Sequence, residues 1–180
     1  KLQKQGMKNL ILDLQGNGGG YLNIAIELAD EFLDKDKLIV YTEGNKQPRD
    51  EAKSTAKGNF EEGRLVVMVD ESSASASEIL SGAVQDWDRG VVVGRRTFGK
   101  GLVQKPIPMP DGSMIRLTVA RYYTPTGRSI QKHYENGKLE DYQHDLIDRY
   151  NRGELMSADS IHFPDSMKYN TLETKRIVYG

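Results

Sequence analysis

Arg64-Leu-Val-Val-Met-Val-Asp-Glu-Ser-Ser-Ala-Ser-Ala-Ser-Glu-Ile-Leu80 decides how this chain folds. Arg64 to Asp70 is a short apolar run that reads as a buried strand. Beyond the serines, Ile79, Leu80, Ala83, Val84 and Trp87 share one face at helical spacing, so a helix follows. Ser73, Ser75 and Ser77 therefore sit at a strand-to-helix turn.

The same alternation extends in both directions. Met7-Lys-Asn-Leu-Ile-Leu-Asp-Leu14 reads as another buried strand, closed by Gln15-Gly-Asn-Gly-Gly-Gly20, whose glycines allow backbone angles that other residues avoid. Leu22, Ala25, Ile26, Ala29, Phe32 and Leu33 recur at helical spacing between Glu27, Asp30 and Glu31, which predicts an amphipathic helix. Leu38-Ile-Val-Tyr41 predicts a strand, and the polar, charged stretch from Glu43 to Gly63 reads as a surface excursion. Val91-Val-Val93 predicts a short strand, Gly94 to Lys100 a loop, and two runs flank the hairpin signal Pro110-Asp-Gly112. Ile115, Leu117 and Val119 alternate as a half-buried strand does. Tyr142 to Tyr150 can form one helix. The rest of the polar stretch from about Glu135 to Gly180 carries no motif.

Bulk composition narrows the function classes. The chain has 180 residues, room for one domain with a real core. Lys and Arg number 25 against 26 Asp and Glu, a formal net charge of -1, which leaves no electrostatic footprint for nucleic acid or an anionic membrane. No run approaches the roughly 18 apolar residues that a membrane-spanning helix needs. Without cysteine there is no disulfide, thiolate metal site or cysteine nucleophile. The sequence opens on Lys1-Leu-Gln-Lys-Gln-Gly6 rather than Met, and the expectation is a piece of a longer protein.

Two residue types in this pattern carry chemistry. A serine hydroxyl becomes a nucleophile when a base takes its proton, and a lysine amine is such a base where its surroundings disfavour the ammonium. Ser75 in Ser73-Ala-Ser-Ala-Ser77 and Lys100 in Thr97-Phe-Gly-Lys-Gly101 are the candidates. Ser75 and Glu78 also fit a capping box, a structural role that competes for the same serine. With three serines on alternate positions, Ser73 or Ser77 can serve local bonding while Ser75 points elsewhere. Gly94-Arg-Arg-Thr-Phe-Gly-Lys-Gly101 imitates a P-loop but has Gly101 where Ser or Thr should hold magnesium, and Pro106 and Pro108 block the helix that should follow. Asn17-Gly-Gly-Gly20 fails as a dinucleotide loop because Tyr21 stands at the third glycine's place; it remains either a plain tight turn or a source of backbone N–H donors. His133, His144 and His162 lie in the polar last third with no metal or triad spacing and read as surface residues.

Leu10-Ile-Leu-Asp-Leu-Gln-Gly-Asn-Gly-Gly-Gly20, Ser73-Ala-Ser-Ala-Ser-Glu-Ile79, Val93-Gly94, Thr97-Phe-Gly-Lys-Gly101, Gln104 and Tyr123-Thr-Pro-Thr-Gly-Arg-Ser-Ile-Gln131 together resemble the carboxy-terminal processing peptidases, or tail-specific proteases. The resemblance covers about residues 7–131, within a fragment, 1–180, that would be the C-terminal part of a peptidase catalytic domain and ends in a polar extension over 132–180. It implies a crotonase-like or Clp-protease-like α/β spiral and a serine endopeptidase that acts near apolar C-terminal tails of protein substrates through a Ser-Lys dyad. By matching positions, Ser75 is the nucleophile, Lys100 the general base and Gln104 the residue that orients it. The oxyanion donors would be the backbone N–H groups of Ala76 and of Gly19 or Gly20, and Asp86 matches an acidic auxiliary position. No cofactor or metal is implied. A PDZ domain elsewhere in the same protein is the implied partner, and the bacterial periplasm or cell envelope the implied compartment.

The dyad reading requires a water-poor setting for the amine, and Phe98, Leu102 and Val103 are expected to supply it around Lys100. Gln15 departs from the pattern, since the family usually carries Arg there. Two other readings stay open at this point: a non-catalytic module that holds a peptide along an exposed strand, and a crotonase-type thioester enzyme, for which no catalytic carboxylate beside the glycine loop or acyl-carrier pocket can be placed.

Overall fold

In chain order the elements are β1 (Asn9–Asp13), α1 (Leu22–Asp30), β2 (Leu38–Gly44), β3 (Gln47–Lys53), β4 (Arg64–Val69), α2 (Ala76–Asp86), β5 (Val91–Gly94), β6 (Leu102–Pro108), β7 (Met114–Tyr123), α3 (Leu139–Asn151), β8 (Lys168–Asn170) and β9 (Ile177–Tyr179). They come from a computed structural model that describes residues 2–134 and 138–180. Lys1 and residues 135–137 of the expected polar extension lie outside the described residues.

The strand-to-helix reading of the serine stretch holds: β4 is the middle strand of a three-stranded parallel sheet in the order β1-β4-β5, and α2 follows it. Register places Leu10 and Leu12 beside Leu65 and Val67, with Val92 beyond, on one face. Against that face pack Ala25, Ala29, Phe32 and Leu33 from α1 and its continuation, and Ile79, Leu80, Ala83 and Val84 from α2. Each large side chain buried here contributes about 1.5–3 kcal/mol. The other face carries Ile11, Val91 and Val93, all at least half exposed. Parallel sheets ordinarily bury both faces.

A second, antiparallel sheet runs in the order β3-β2-β7-β6. β2 contributes buried Ile39, Val40 and Tyr41, and Tyr41 stacks on Tyr123 of β7 at 4.9 Å between ring centroids. β7 meets β2 only from Arg121 to Tyr123. The β6–β7 hairpin therefore projects past the sheet, and Ile115 and Leu117, expected to line the buried face of a half-buried strand, are exposed, as is Arg116 between them.

Part of the stretch expected to be a surface excursion is a strand. β3 pairs antiparallel with β2 across the two-residue loop Asn45-Lys46. It lacks apolar alternation because it is an edge strand, where charged side chains discourage further pairing. Glu51 binds Arg49 and Lys53, and Arg49 lies over the Tyr41 ring.

The chain's last third returns to the far end of α2. Asp86, fully buried, accepts from the Thr126 N–H at 2.9 Å, the Thr126 hydroxyl at 2.8 Å and the Arg128 guanidinium. Arg128 also donates to the Tyr179 carbonyl at 2.9 Å, and the Leu172 N–H reaches the Asp86 carbonyl at 2.7 Å. These bonds fasten the short antiparallel pair β8–β9, which lies in the polar stretch where no strand is predicted, to the core. Asp86→Ala strands the buried Arg128 charge and should cost about 3–5 kcal/mol in urea unfolding. A loss below about 1 kcal/mol would contradict this anchoring.

Candidate active site

Ser75 is held in a conformation that few side chains adopt. Its φ of 55 and ψ of -114 lie outside the broad allowed regions, at a cost of about 1–3 kcal/mol. The turn from β4 into α2 is sharp enough to require this, and such a strained strand-to-helix turn lifts a serine hydroxyl clear of its neighbours. The flanking serines take the local bonding. Ser73 Oγ donates to the Leu14 carbonyl at 2.7 Å and accepts the Asp70 N–H, while Ser77 Oγ donates to the Asn17 carbonyl at 3.0 Å. The Glu78 N–H goes to the Ser75 carbonyl at 2.9 Å, and Ser75 and Glu78 form the capping box that their spacing predicts, with the Glu78 carboxylate accepting the Ser75 N–H.

The glycine loop lies directly against this turn. A Cβ on Gly19, whose φ is +88, would come within 2.5 Å of the Ala74 carbonyl oxygen, 2.7 Å of the Ala76 nitrogen and 2.9 Å of Ser75 Cβ. The loop is fastened at its start by Asp70, whose carboxylate accepts the N–H groups of Gly16, Ser72 and Ser73. Burial alone would push the Asp70 carboxyl up, but these donors and the Ser73 hydroxyl hold it below the usual carboxylate range. The Gly19 N–H is already committed to Asn17 Oδ1 at 2.9 Å. Among the described residues neither the Ala76 N–H nor the Gly20 N–H has an acceptor. Ala76 opens α2, so its free N–H sits at the positive end of the helix dipole. Beside these donors is a recess of about 150 Å³ lined by Leu14, Tyr21, Ile24, Ala25, Leu28 and Leu80 as well as Gly19, Gly20 and Ala76.

Lys100 is brought to the same place by one carboxylate. Glu78 projects from the first turn of α2 and is 5% exposed. Its Oε1 accepts from the Thr97 hydroxyl at 2.7 Å and the Gly99 N–H at 2.6 Å; its Oε2 accepts from the Lys100 N–H at 2.9 Å and the Ser75 N–H at 2.8 Å. The main chains of Ser75 and Lys100 thus meet on a single oxygen atom. Burial pushes the Glu78 carboxyl up, against these four hydrogen bonds, which favour the carboxylate.

The side chains are less closely assembled than the backbones. Lys100 is exposed, and Phe98, Leu102 and Val103 are only partly buried, so the expected exclusion of water around the amine is not present. The reason is position: Lys100 lies at the mouth of the loop, just before β6 leaves the core. Among the described residues no hydrogen bond joins Lys100 Nζ to Ser75 Oγ. Gln104, also exposed, reaches Thr118 Oγ1 across the hairpin at 3.4 Å rather than Lys100. Asp86 sits at the opposite end of α2, about 16 Å along the axis from Ser75.

The fourfold role of Glu78 is not visible from sequence beyond its capping position, because three of its donors lie about twenty residues away.

A family-level comparison matches residues 1–143 to peptidase family S41. The carboxyl-terminal-processing protease of a Picosynechococcus species is 46% identical over 132 residues, covering 73% of this chain and 31% of that protein. The chloroplastic C-terminal processing peptidase of Tetradesmus obliquus is 40% identical over 132 residues, covering 73% of this chain and 28% of its own. A solved structure titled photosystem II D1 C-terminal processing protease superposes with a TM-score of 0.69 at 40% identity, covering 72% of this chain and 33% of the other. The chain thus spans about a third of the length of the relatives it matches. A putative S41 protease from Bacteroides fragilis, at 20% identity and a TM-score of 0.57, shares the α/β fold.

Glu78→Gln presents an amide NH₂ to two of the four donors, each stranded donor costing about 1–3 kcal/mol. Hydrogen exchange at Gly99 and Lys100 should speed up more than tenfold relative to the Leu65 and Val67 amides. Unchanged protection of the loop would contradict the Glu78 assignment.

Proposed function

We propose that this chain, which belongs to peptidase family S41, carries the catalytic serine and lysine of a serine endopeptidase that cuts proteins near apolar carboxy-terminal tails. The observation that carries the proposal is the shared Glu78 oxygen, which holds the main chains of Ser75 and Lys100 together at the head of α2. In the proposed reaction the Lys100 amine, on its flexible four-carbon stem, swings to the Ser75 hydroxyl and takes its proton as Oγ attacks the substrate carbonyl. The oxyanion that forms faces the Ala76 N–H and an N–H of the glycine loop. Gly20 suits that second position in the geometry above, and Gly19 would serve after releasing Asn17. Collapse of the tetrahedral species, with the lysine returning the proton to the leaving amine, gives an acyl-Ser75 ester. Water activated by the same amine then hydrolyses it. Gln104 is proposed to orient the amine once Lys100 has turned inward, and Asp86 to act at a distance by fixing the far end of α2.

The recess beside Ala76 and Gly20 supports the apolar preference. Tyr21, Ile24, Leu28 and Leu80 offer it no charge, so an apolar substrate side chain next to the scissile bond gains by burial there. A PDZ domain in the same protein is the proposed holder of the substrate's end. The proposed compartment is the bacterial periplasm or cell envelope. Among the described residues no helix is long and apolar enough to cross a membrane.

Assayed in the intact protein with a peptide bearing an apolar tail, Ser75→Ala and Lys100→Ala should each lower kcat/KM at least about a thousandfold. Wild-type cleavage by either variant would refute the dyad.

Acid should separate activity from folding. Glu78 titrates above the ordinary carboxylate value, so its own contribution to stability is present below that value and lost as pH rises through the raised one; acidification costs the fold nothing here. Asp70 is held low, and so is Asp88, where the Thr174 N–H at 2.8 Å and the Arg176 guanidinium at 2.8 Å outweigh burial, so their stabilisation is present above the ordinary value and lost as pH falls through the depressed ones. Protonating Glu78 nonetheless removes an acceptor from the loops. Cleavage should therefore fall at a milder pH than the circular dichroism signal. Coincident loss of both would contradict the assignment.

A further inference from the structure

α3 lies almost wholly in the part of the chain that composition and motifs leave without a role, and the family match stops within it. One of its side chains nevertheless reaches the loop that carries Lys100. Arg149 is 2% exposed. Its guanidinium donates through Nη1 to the Thr97 carbonyl at 3.1 Å and through Nη2 to the Arg96 carbonyl. Glu154 offsets part of the positive charge, with its carboxylate 2.8 Å from Arg96 Nη2, 3.0 Å from Arg152 Nη2 and 3.5 Å from Arg149 Nε.

The residue gripped from this side is the one that Glu78 grips from the other. Thr97 gives its hydroxyl to Glu78 and its carbonyl to Arg149, so the peptide just upstream of Lys100 is fixed between α2 and α3. Lys132 reinforces the outer grip. Its N–H donates to the Gly99 carbonyl at 3.0 Å, and its ammonium binds Asp145 at 3.1 Å while lying 4.4 Å from the Phe98 ring centroid. A cavity of about 800 Å³ separates the outer side of this loop from the C-terminal strands. Polar contacts, together with the edge-to-face packing of Phe98 on Tyr142 of α3, therefore set the loop's position there. Burying a guanidinium is costly unless its donors are well placed, and a planar fork can hold two adjacent carbonyls in one orientation where an ammonium cannot.

We infer that Arg149 is a positioning residue for the proposed base: by fixing the Arg96 and Thr97 carbonyls it sets the direction in which Lys100 leaves the loop. The inference rests on the peptidase reading above. It makes α3 part of the working site, acting through the loop and not by touching substrate.

The test is steady-state kinetics of the intact protein on an apolar-tailed peptide, comparing Arg149→Ala, Arg149→Lys and Ser75→Ala. Misplacing the base by about an ångström costs on the order of a hundredfold in rate. Arg149→Ala should lower kcat about 10- to 100-fold with KM within about threefold of wild type, and Arg149→Lys should recover part of the loss. If Arg149→Ala does not fold, Arg149→Lys decides: a reduced kcat at unchanged KM supports the inference, and a wild-type kcat overturns it. An inactive Ser75→Ala beside an unimpaired Arg149→Ala overturns the inference alone. Wild-type cleavage by Ser75→Ala overturns the peptidase reading and this inference with it.

Discussion

The carboxylate of Glu78 is the constraint on which the site depends. It is buried at the first turn of α2 and accepts four hydrogen bonds, one from the serine turn and three from the Thr97–Lys100 loop. Removing a carboxylate from water is expensive, and the expense is offset only when its lone pairs are filled by well-placed donors. Two loops about twenty residues apart in sequence are therefore forced to meet on one side chain. If either loop drifts, buried N–H groups lose their acceptor, so the pair of loops behaves as one unit.

α2 works as the spine of this arrangement. At its N-terminus are the strained Ser75, the Ala76 N–H, which has no acceptor among the described residues, and Glu78; at its C-terminus Asp86 binds Thr126, Arg128 and, through its carbonyl, Leu172. The buried face between them is apolar and continuous with the parallel sheet. Strain at Ser75 is tolerated because the rest of the helix over-determines its start. The flanking Ser73 and Ser77 matter for the same reason, since their hydroxyls fix the turn to Leu14 and Asn17.

Much of the fold is legible in the sequence where one face is buried. β1, α1, β4 and α2 follow from the spacing of Leu, Ile, Val and Ala alone, and the β6–β7 hairpin from Pro110-Asp-Gly112. Legibility fails where burial does not impose a pattern. β3 is a charged edge strand fixed by its ladder to β2, and β8 and β9 are three-residue strands tied down by Asp86, Asp88 and Arg128. The site divides in the same way. The turn and glycine loop can be placed from local spacing, and the capping relation of Ser75 and Glu78 is visible. The contacts of Glu78 with Thr97, Gly99 and Lys100, and of Arg149 with Arg96 and Thr97, are long-range pairings of polar atoms with no periodicity to announce them. The exposure of Lys100 escapes for a related reason: apolar neighbours in sequence do not bury a side chain at the mouth of a loop.

The central claim is that Ser75 attacks the substrate carbonyl. It is tested most directly by mixing the intact protein with an ester of an apolar-tailed peptide, quenching in acid and mapping the acylated residue by mass spectrometry. The account predicts an acyl group on Ser75 that is absent in Lys100→Ala. Turnover with no acyl-Ser75, or acylation of Ser72, Ser73 or Ser77 instead, would contradict it.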